Sequence, residues 1–456
     1  LISYHFGPRA ATGGFRWTRL AHLLAVRGWQ FDVLTHDEVL AGELPETIRV
    51  HRVRIPAVSR AVAWLPGEAP GALLRLLRRR GRDLGNSHSA PPARAVTPAT
   101  VVPADPRRVK VPLHGQAPPL RTRLVRALDG LAEETRILGW ARAAATRSAA
   151  LAAETRYDAA VVSSPPHATL SAGLRLRART GIPFIADFRD PWVLGLGESL
   201  ANMSAAHRWL GERIEPRVNR EAAAVVHNTD IERRVIGALM PGQISRHHYI
   251  PNGHDLTHVP GYPRRDQFVV TYTGHMHPWM DPRPFFAACQ RFLAGNETAR
   301  RTIRIVFMGT PREFGGVDLR ALAAAYGLSD CFDLRPRGTR EEANALQESA
   351  AVLLAYDCTH PMCVPAKFFD YAYMRGAMLL IGHPDGAMAE MAAPLGLQVV
   401  ARDDADGLDA ALSVAFVRWR EGELTEQNDR GSIYARQKQA EQWDALLQDV
   451  ARDASR

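Results

Sequence analysis

Phe268-Val269-Val270-Thr271-Tyr272-Thr273-Gly274 reads as a short buried strand ending on a glycine, and it begins a series that the chain has already run through once. Just ahead of it, residues 251–263 hold three prolines and two glycines, the composition of an interdomain linker. Behind it come Ile303-Arg304-Ile305-Val306-Phe307-Met308-Gly309, Val352-Leu353-Leu354-Ala355-Tyr356 and Met378-Leu379-Leu380-Ile381-Gly382, apolar runs separated by segments of helical length. The earlier series starts at the turn Gly7-Pro8 to Gly13-Gly14, followed by Trp17, Leu20, Ala21 and Leu24 at helical spacing and by Gly28 as a stop. Phe31-Asp32-Val33-Leu34-Thr35, Ala159-Ala160-Val161-Val162-Ser163, Pro183-Phe184-Ile185-Ala186 and Ala223-Ala224-Val225-Val226-His227 are its strands, and a long helix is expected from about Leu120 to Glu154. Strands alternating with helices predict parallel sheets with crossover helices. A series that restarts predicts two doubly wound α/β domains, one over 1–255 and one over 264–422, with a helical segment at 423–456. In such sheets ligands sit beyond the carboxyl ends of the strands, and here Gly, Pro, Asp, His and Arg accumulate at those ends.

The composition agrees with this reading and excludes others. At 456 residues the chain exceeds what one hydrophobic core serves. With 46% apolar and 23% charged residues it is neither disordered nor fibrous. Cys289, Cys331, Cys358 and Cys363 are too few and too irregular for a disulfide framework, so they read as reduced and buried, and no Cys/His pairing stands at metal-ligand spacing. No run approaches the ~20 apolar residues of a membrane span, and Leu1-Ile2-Ser3-Tyr4 does not read as a signal peptide, so a cytoplasmic protein is expected. The apolar start, running straight into a Gly-rich turn, reads as a first strand that begins before Leu1. The net charge of +9 suits a polyanionic partner: nucleic acid, anionic lipid or a phosphorylated substrate. Nucleic acid is disfavoured, because no recognisable binding module or aromatic platform accompanies the charge. Leu73-Leu74-Arg75-Leu76-Leu77-Arg78-Arg79-Arg80 has the character of a helix on an anionic membrane surface, or equally of an amphipathic helix with a solvated Arg face. From about 85 to 119 the chain is dense in Pro, Ala, Arg and Ser without periodicity, which reads as an insert.

Several residues stand where chemistry is expected. In Val364-Pro365-Ala366-Lys367-Phe368-Phe369-Asp370-Tyr371, Pro365 suits the first position of a helix whose free amides attract phosphate. Lys367 and Asp370 then share one helix face, an ammonium for phosphate and a carboxylate for ribose hydroxyls, or simply a surface ion pair. Gly13 and Gly14 offer close backbone approach at a helix start. Asp187, Arg189 and Asp190 crowd one strand end, where buried charge must be paired or used. We read Arg189 as a phosphate contact and Asp190 as a sugar-hydroxyl contact or base, with an Asp–Arg ion pair shaping the loop as the alternative. His167, past Pro165-Pro166, is a candidate sugar contact. Glu342 and Glu348 read as solvated, and Asp404-Ala405-Asp406 as a surface loop.

In order and spacing these motifs, with Ser163-Ser164-Pro165-Pro166, Asp187-Phe188-Arg189-Asp190-Pro191-Trp192 and Ile250-Pro251-Asn252-Gly253, resemble the family-4-type glycosyltransferases of the GT-B fold, which build bacterial polysaccharides and glycoconjugates. The resemblance spans nearly the whole chain except the Pro-rich insert. It implies two Rossmann-like domains facing a central cleft, the second holding a nucleoside-diphosphate sugar and the first a hydroxyl acceptor, which a lipid carrier would suit. It further implies transfer of a hexosyl or related group with retention, no essential metal or cofactor, cytoplasmic location with peripheral contact at the inner membrane face, and a C-terminal segment crossing back to the first domain. Gly13, Gly14, Gly274, His275, Lys367 and Asp370 fall at the implied donor-binding positions, and Arg189, Asp190 and His167 at the catalytic ones. The chain departs from the pattern where the family carries Arg, Lys and a carboxylate, for here stand His275, Met280 and Met362; Arg189 replaces a His and Asp370 a Glu. Lys367, Arg283 and a protonated His275 are the candidates to supply the missing positive charge. Two rivals follow: a non-catalytic partner subunit of the same fold, favoured by those losses, and a nucleotide-sugar epimerase, which needs an acid–base pair around the sugar that the residues do not supply.

Overall fold

The computed structural model describes residues 1–7, 14–39, 44–57, 59, 120–256, 258, 260–425 and 429–454. The Leu73–Arg80 segment, the Pro-rich insert and Gly13 lie outside them. The described chain forms two compact units, one built from residues up to Asn252 together with those from Arg436 on, the other from Gly253–Ala435. The return to the first unit thus falls at Arg436, so residues 423–435 stay with the second.

In the first unit, strands β1 (Ile2–Ser3), β2 (Phe31–Thr35), β3 (Ile48–Arg52), β4 (Ala160–Ser164), β5 (Phe184–Phe188), β6 (Ala224–His227) and β7 (His247–Tyr249) form one sheet in the order β3-β2-β1-β4-β5-β6-β7. Every pairing is parallel. Its helices are α1 (Phe15–Val26), α2 (Leu120–Glu154), α3 (Ser171–Thr180), α4 (Ala205–Glu221), α5 (Asp230–Leu239) and, from the far end of the chain, α13 (Arg436–Ala454). The central strands β4 and β5 are buried at every position, because helices cover both faces, and therefore read as apolar runs except near their carboxyl ends, where Ser163, Ser164 and Asp187 stand. Trp140 of α2 fills one side of the sheet with Ile137 and Phe184. On the other side Trp17 of α1 meets Trp443 of α13 edge to face at 4.6 Å.

The second unit repeats the plan. Strands β8 (Phe268–Thr273), β9 (Ile303–Met308), β12 (Phe332–Arg335), β13 (Val352–Tyr356), β14 (Ala377–Gly382) and β15 (Val399–Ala401) are ordered β12-β9-β8-β13-β14-β15, all parallel. A small hairpin, β10 (Glu313–Phe314) with β11 (Val317–Asp318), stands apart. Between the strands run α6 (Arg283–Ala294), α7 (Glu297–Thr302), α8 (Leu319–Ala325), α9 (Arg340–Ser349), α10 (Lys367–Tyr373), α11 (Ala387–Ala392) and α12 (Ala405–Glu421). Phe268, Tyr272, Phe285, Phe286, Phe307 and Phe416 make its aromatic core. In both units the strand order reverses once, between β1 and β4 and between β8 and β13, and ligands of such sheets bind beyond the carboxyl ends at that reversal.

Some expectations need correction. Cys289 and Cys331 are buried, but Cys358 and Cys363 are only partly so. Asp404 is not in a surface loop: its carboxylate caps α12 by accepting the Gly407 amide at 2.9 Å. Glu342 forms a capping box with Thr339, and Glu348 pairs with His258 at 2.6 Å and is not simply solvated. Among the described residues no helix is long and apolar enough to cross a membrane.

Candidate functional site

At the reversal of the second sheet, β8 ends on Gly274, whose φ of +105° turns the chain sharply out of the strand and favours glycine. The Gly274 amide donates to the Met308 carbonyl at 2.7 Å, so this corner is fastened to β9. From the other side Tyr371 of α10 receives the Thr273 amide at 3.1 Å and shares a hydroxyl contact with Thr273 Oγ1 at 3.0 Å. These bonds fix α10 against the strand end, and the first residue of α10 is Lys367. Its Nζ lies 3.4 Å over the Tyr272 ring, with no hydrogen-bond partner, and a Cβ on Gly274 would sit 3.8 Å from it. A buried ammonium without an acceptor is costly, and loss of solvation pulls the Lys367 pKa down to about 7, against the pull of Cys358. The arrangement offers a cation held ready for an anion beside an exposed glycine corner.

His275 and His277 follow on the same loop. Their rings meet edge to face at 4.7 Å, and His277 lies flat on Trp279 at 4.3 Å. Asp370 does not pair with Lys367; its ion-pair partner is Arg340 at 3.8 Å, so the simple Lys367–Asp370 surface pair falls away. Pro365 is not the first helical residue either, since it precedes the N-cap Ala366 and Lys367 opens the helix. Arg283 is engaged by Asp281 through both carboxylate oxygens, which ties up the charge expected to compensate near the site. Met280 and Met362 are both core residues, Met280 accepting the Tyr272 hydroxyl at 3.3 Å through sulfur.

In the first unit the structure gathers a network that the sequence did not disclose. Asp187, wholly buried at the end of β5, accepts Trp17 Nε1 at 2.7 Å and Ser163 Oγ at 2.9 Å and faces Arg16 at 3.4 Å. Arg16 also donates to the carbonyls of Ile250 and Pro251 and to Asn252 Oδ1, and burial lowers its pKa to about 10. Asn252 in turn donates its amide to Asn228, whose Nδ2 holds the Arg189 carbonyl at 3.1 Å. Arg16, Trp17, Asn228 and Asn252 thereby join the strand ends, and only Asn252 belonged to a motif singled out beforehand. Gly14 is the N-cap of α1 with an ordinary φ of −83°.

Arg189, Asp190 and His167 do come together. Arg189 is buried, and it donates from Nε to the Ser164 carbonyl at 2.8 Å and from a terminal nitrogen to Pro165 at 2.6 Å, so it braces the turn after β4. His167 is stacked on Trp192 at 5.4 Å and donates from Nε2 to the Asp190 carbonyl at 2.9 Å. Behind them Glu215 accepts the amides of Val193 and Leu194 at 2.8 and 2.9 Å; burial pushes its pKa up to about 7. The Asp190 side chain is left exposed and, among the described residues, without a hydrogen bond. Among the described residues no group of three or more His, Cys, Asp or Glu is placed to hold a metal ion.

His167 supplies a pH test of this packing. Burial drops its pKa from 6.5 to about 3, so between those values the unfolded chain binds a proton that the folded one refuses. Its contribution therefore erodes as pH falls below 6.5, by about 1.4 kcal/mol per pH unit. We expect urea midpoints measured from pH 7 to 5 to fall less steeply in His167→Asn than in the wild type. Parallel curves would place the His167 ring in water.

Comparison with known proteins agrees with this architecture. Residues 93–253 match the family model of the glycosyl transferase 4-like domain, of which the described part runs from α2 to the turn after β7. No curated protein matches the chain in sequence. Similar solved structures include the α,α-trehalose 6-phosphate synthase of Burkholderia multivorans, at TM-score 0.60 and 13% identity, covering 100% of this chain and 97% of that one. A glycosyltransferase of Rickettsia africae (TM-score 0.57) and the sucrose-phosphate synthase of Thermosynechococcus elongatus (0.56) are each 12% identical and covered at 98% of both chains. At such identities the likeness is one of fold, and it extends over both units. Residues 93–253 thus match the model of the glycosyl transferase 4-like domain, and the chain has the fold of the GT-B glycosyltransferases.

Proposed function

We propose that this protein transfers a sugar from a nucleoside-diphosphate donor to a hydroxyl acceptor, with the donor's diphosphate at Gly274 and Lys367. The observation that carries the reading is the Lys367 ammonium, unpartnered and shielded at the sheet reversal of the second unit, where a phosphate would complete it. Asp370, close to Lys367 along α10, is the candidate ribose contact, and Gly14 at the start of α1 offers backbone to the reacting sugar. Asp190 is the candidate for the acceptor or sugar hydroxyl, because it is the open carboxylate of its loop, and Arg189 and His167 hold that loop. Retention at the anomeric carbon and a lipid-linked acceptor are parts of the proposal carried by the family resemblance.

The reading is tested by thermal shift with UDP, GDP, ADP and their sugars. One base should stabilise the protein, by about 2.7 kcal/mol at a hundredfold excess over Kd. With the responding donor, NMR of the product's anomeric proton reads the stereochemistry. No shift with any diphosphate would remove the donor site and favour a non-catalytic partner subunit, the reading that His275, Met280 and Met362 support.

A further inference from the structure

We infer that the donor's anion site is operated by protons: a diphosphate docking at Gly274 is held by His275, His277 and Lys367, and its binding draws protons onto His277 and Lys367. The inference rests on the donor-site reading above. Its basis is the clustering of three basic side chains on one corner. Lys367 Nζ lies over the Tyr272 ring without an acceptor, the His275 and His277 rings meet at 4.7 Å, and Trp279 holds His277 in place from its other face. Burial first, then His275 and Lys367, lowers the His277 pKa, and burial lowers that of Lys367 to about 7. An anion among them reverses both effects, since it offers the charge and acceptors that burial removes.

Most of the other charged groups around the corner are already matched. On the loop after β8, Asp281 holds Arg283. At the end of β13, Asp357 is held by His383 and Arg402. Asp370 of α10 faces Arg340 of α9. Arg337, exposed beyond β12, lines a groove with Arg304 and Arg335. Tyr272, Tyr356 and Tyr371 have pKa values raised by burial and stay neutral near pH 7. Among the described residues Cys358 is the one further group acting on Lys367, and it favours the ammonium. The corner's response to pH is therefore set by His277 and Lys367.

The sign follows from linkage. The anion binds the protonated forms better, so affinity is full below the free-protein pKa values and declines as pH rises, tenfold per pH unit for each linked proton. A terminal phosphate has already lost its second proton above about pH 6, so the ligand does not produce this decline. Calorimetric titration with UDP, GDP and ADP from pH 7 to 9, in buffers of differing ionisation enthalpy, reads both quantities. We expect uptake of at least half a proton per bound diphosphate near pH 7.5 and at least tenfold weaker binding at pH 9 than at pH 7. Lys367→Arg, whose charge is permanent, should bind with reduced uptake and a flatter pH dependence. Binding of a diphosphate with unchanged affinity across this range and no proton uptake in the wild type would overturn the inference while leaving the donor site standing. Absence of binding at every pH would overturn both.

Discussion

Replacing Asp187 by alanine is expected to destabilise the first unit by about 3–5 kcal/mol, the cost of leaving a buried charge without its counter-charge. Asp187 is fully buried, and among the described residues it is the only carboxylate bonded to Arg16, which is itself buried and otherwise held by neutral acceptors. Its removal also leaves Trp17 Nε1 and Ser163 Oγ without their acceptor. Asp187→Asn keeps one acceptor and should cost less, about 1–3 kcal/mol. Urea unfolding followed by near-ultraviolet circular dichroism, to which Trp17 and Trp443 contribute as a packed pair, measures both. A loss below about 1 kcal/mol in the alanine variant would show that the strand ends are organised by packing and not by this carboxylate. Because Asp187 sits two residues before Arg189 on the same strand end, transfer activity should fall with stability.

Lys367→Met should separate the two properties. The methionine removes an ammonium that has no acceptor and keeps the chain that lies on Tyr272, so the fold should be as stable as the wild type or more so. Catalysis should fall by about 10²–10³ in kcat/KM for the donor, the usual cost of removing one preorganised group that stabilises departing negative charge. Stabilisation by the preferred diphosphate should be lost as well. Retained activity in a stably folded Lys367→Met would move the phosphates elsewhere on the unit. Loss of both activity and stability would make Lys367 a packing residue.

What was legible in the sequence and what was not divides along physical lines. The strands recognised in advance include β4, β5, β8, β9, β13 and β14, which lie inside their sheets and are covered on both faces, so most of their residues are apolar. The strands that escaped are β3, β7, β12 and β15, the edges of the two large sheets, together with β10 and β11 of the small hairpin. Arg49 and Arg52 in β3 and Asp333 and Arg335 in β12 show why: an edge strand keeps positions in water, and charge there discourages further pairing.

The site divides in the same way. Lys367, Gly274, Arg189, Asp190 and His167 could be named because each follows a recognisable strand or opens a helix. Their states could not. Arg16 and Asp187 are 171 residues apart, and Arg16 and the Pro251 carbonyl 235, so nothing local marks Arg16 as the residue that ties the strand ends together. The amino-acid order alone determined two parallel α/β units and the loops at their strand ends, because hydrophobic periodicity and turn residues act over a few neighbours. Only the tertiary structure decided that Asp187 is an internal anchor, that Arg189 is spent on backbone carbonyls, and that Lys367 waits unpaired over Tyr272, because burial and charge pairing depend on groups that meet only when the sheets close.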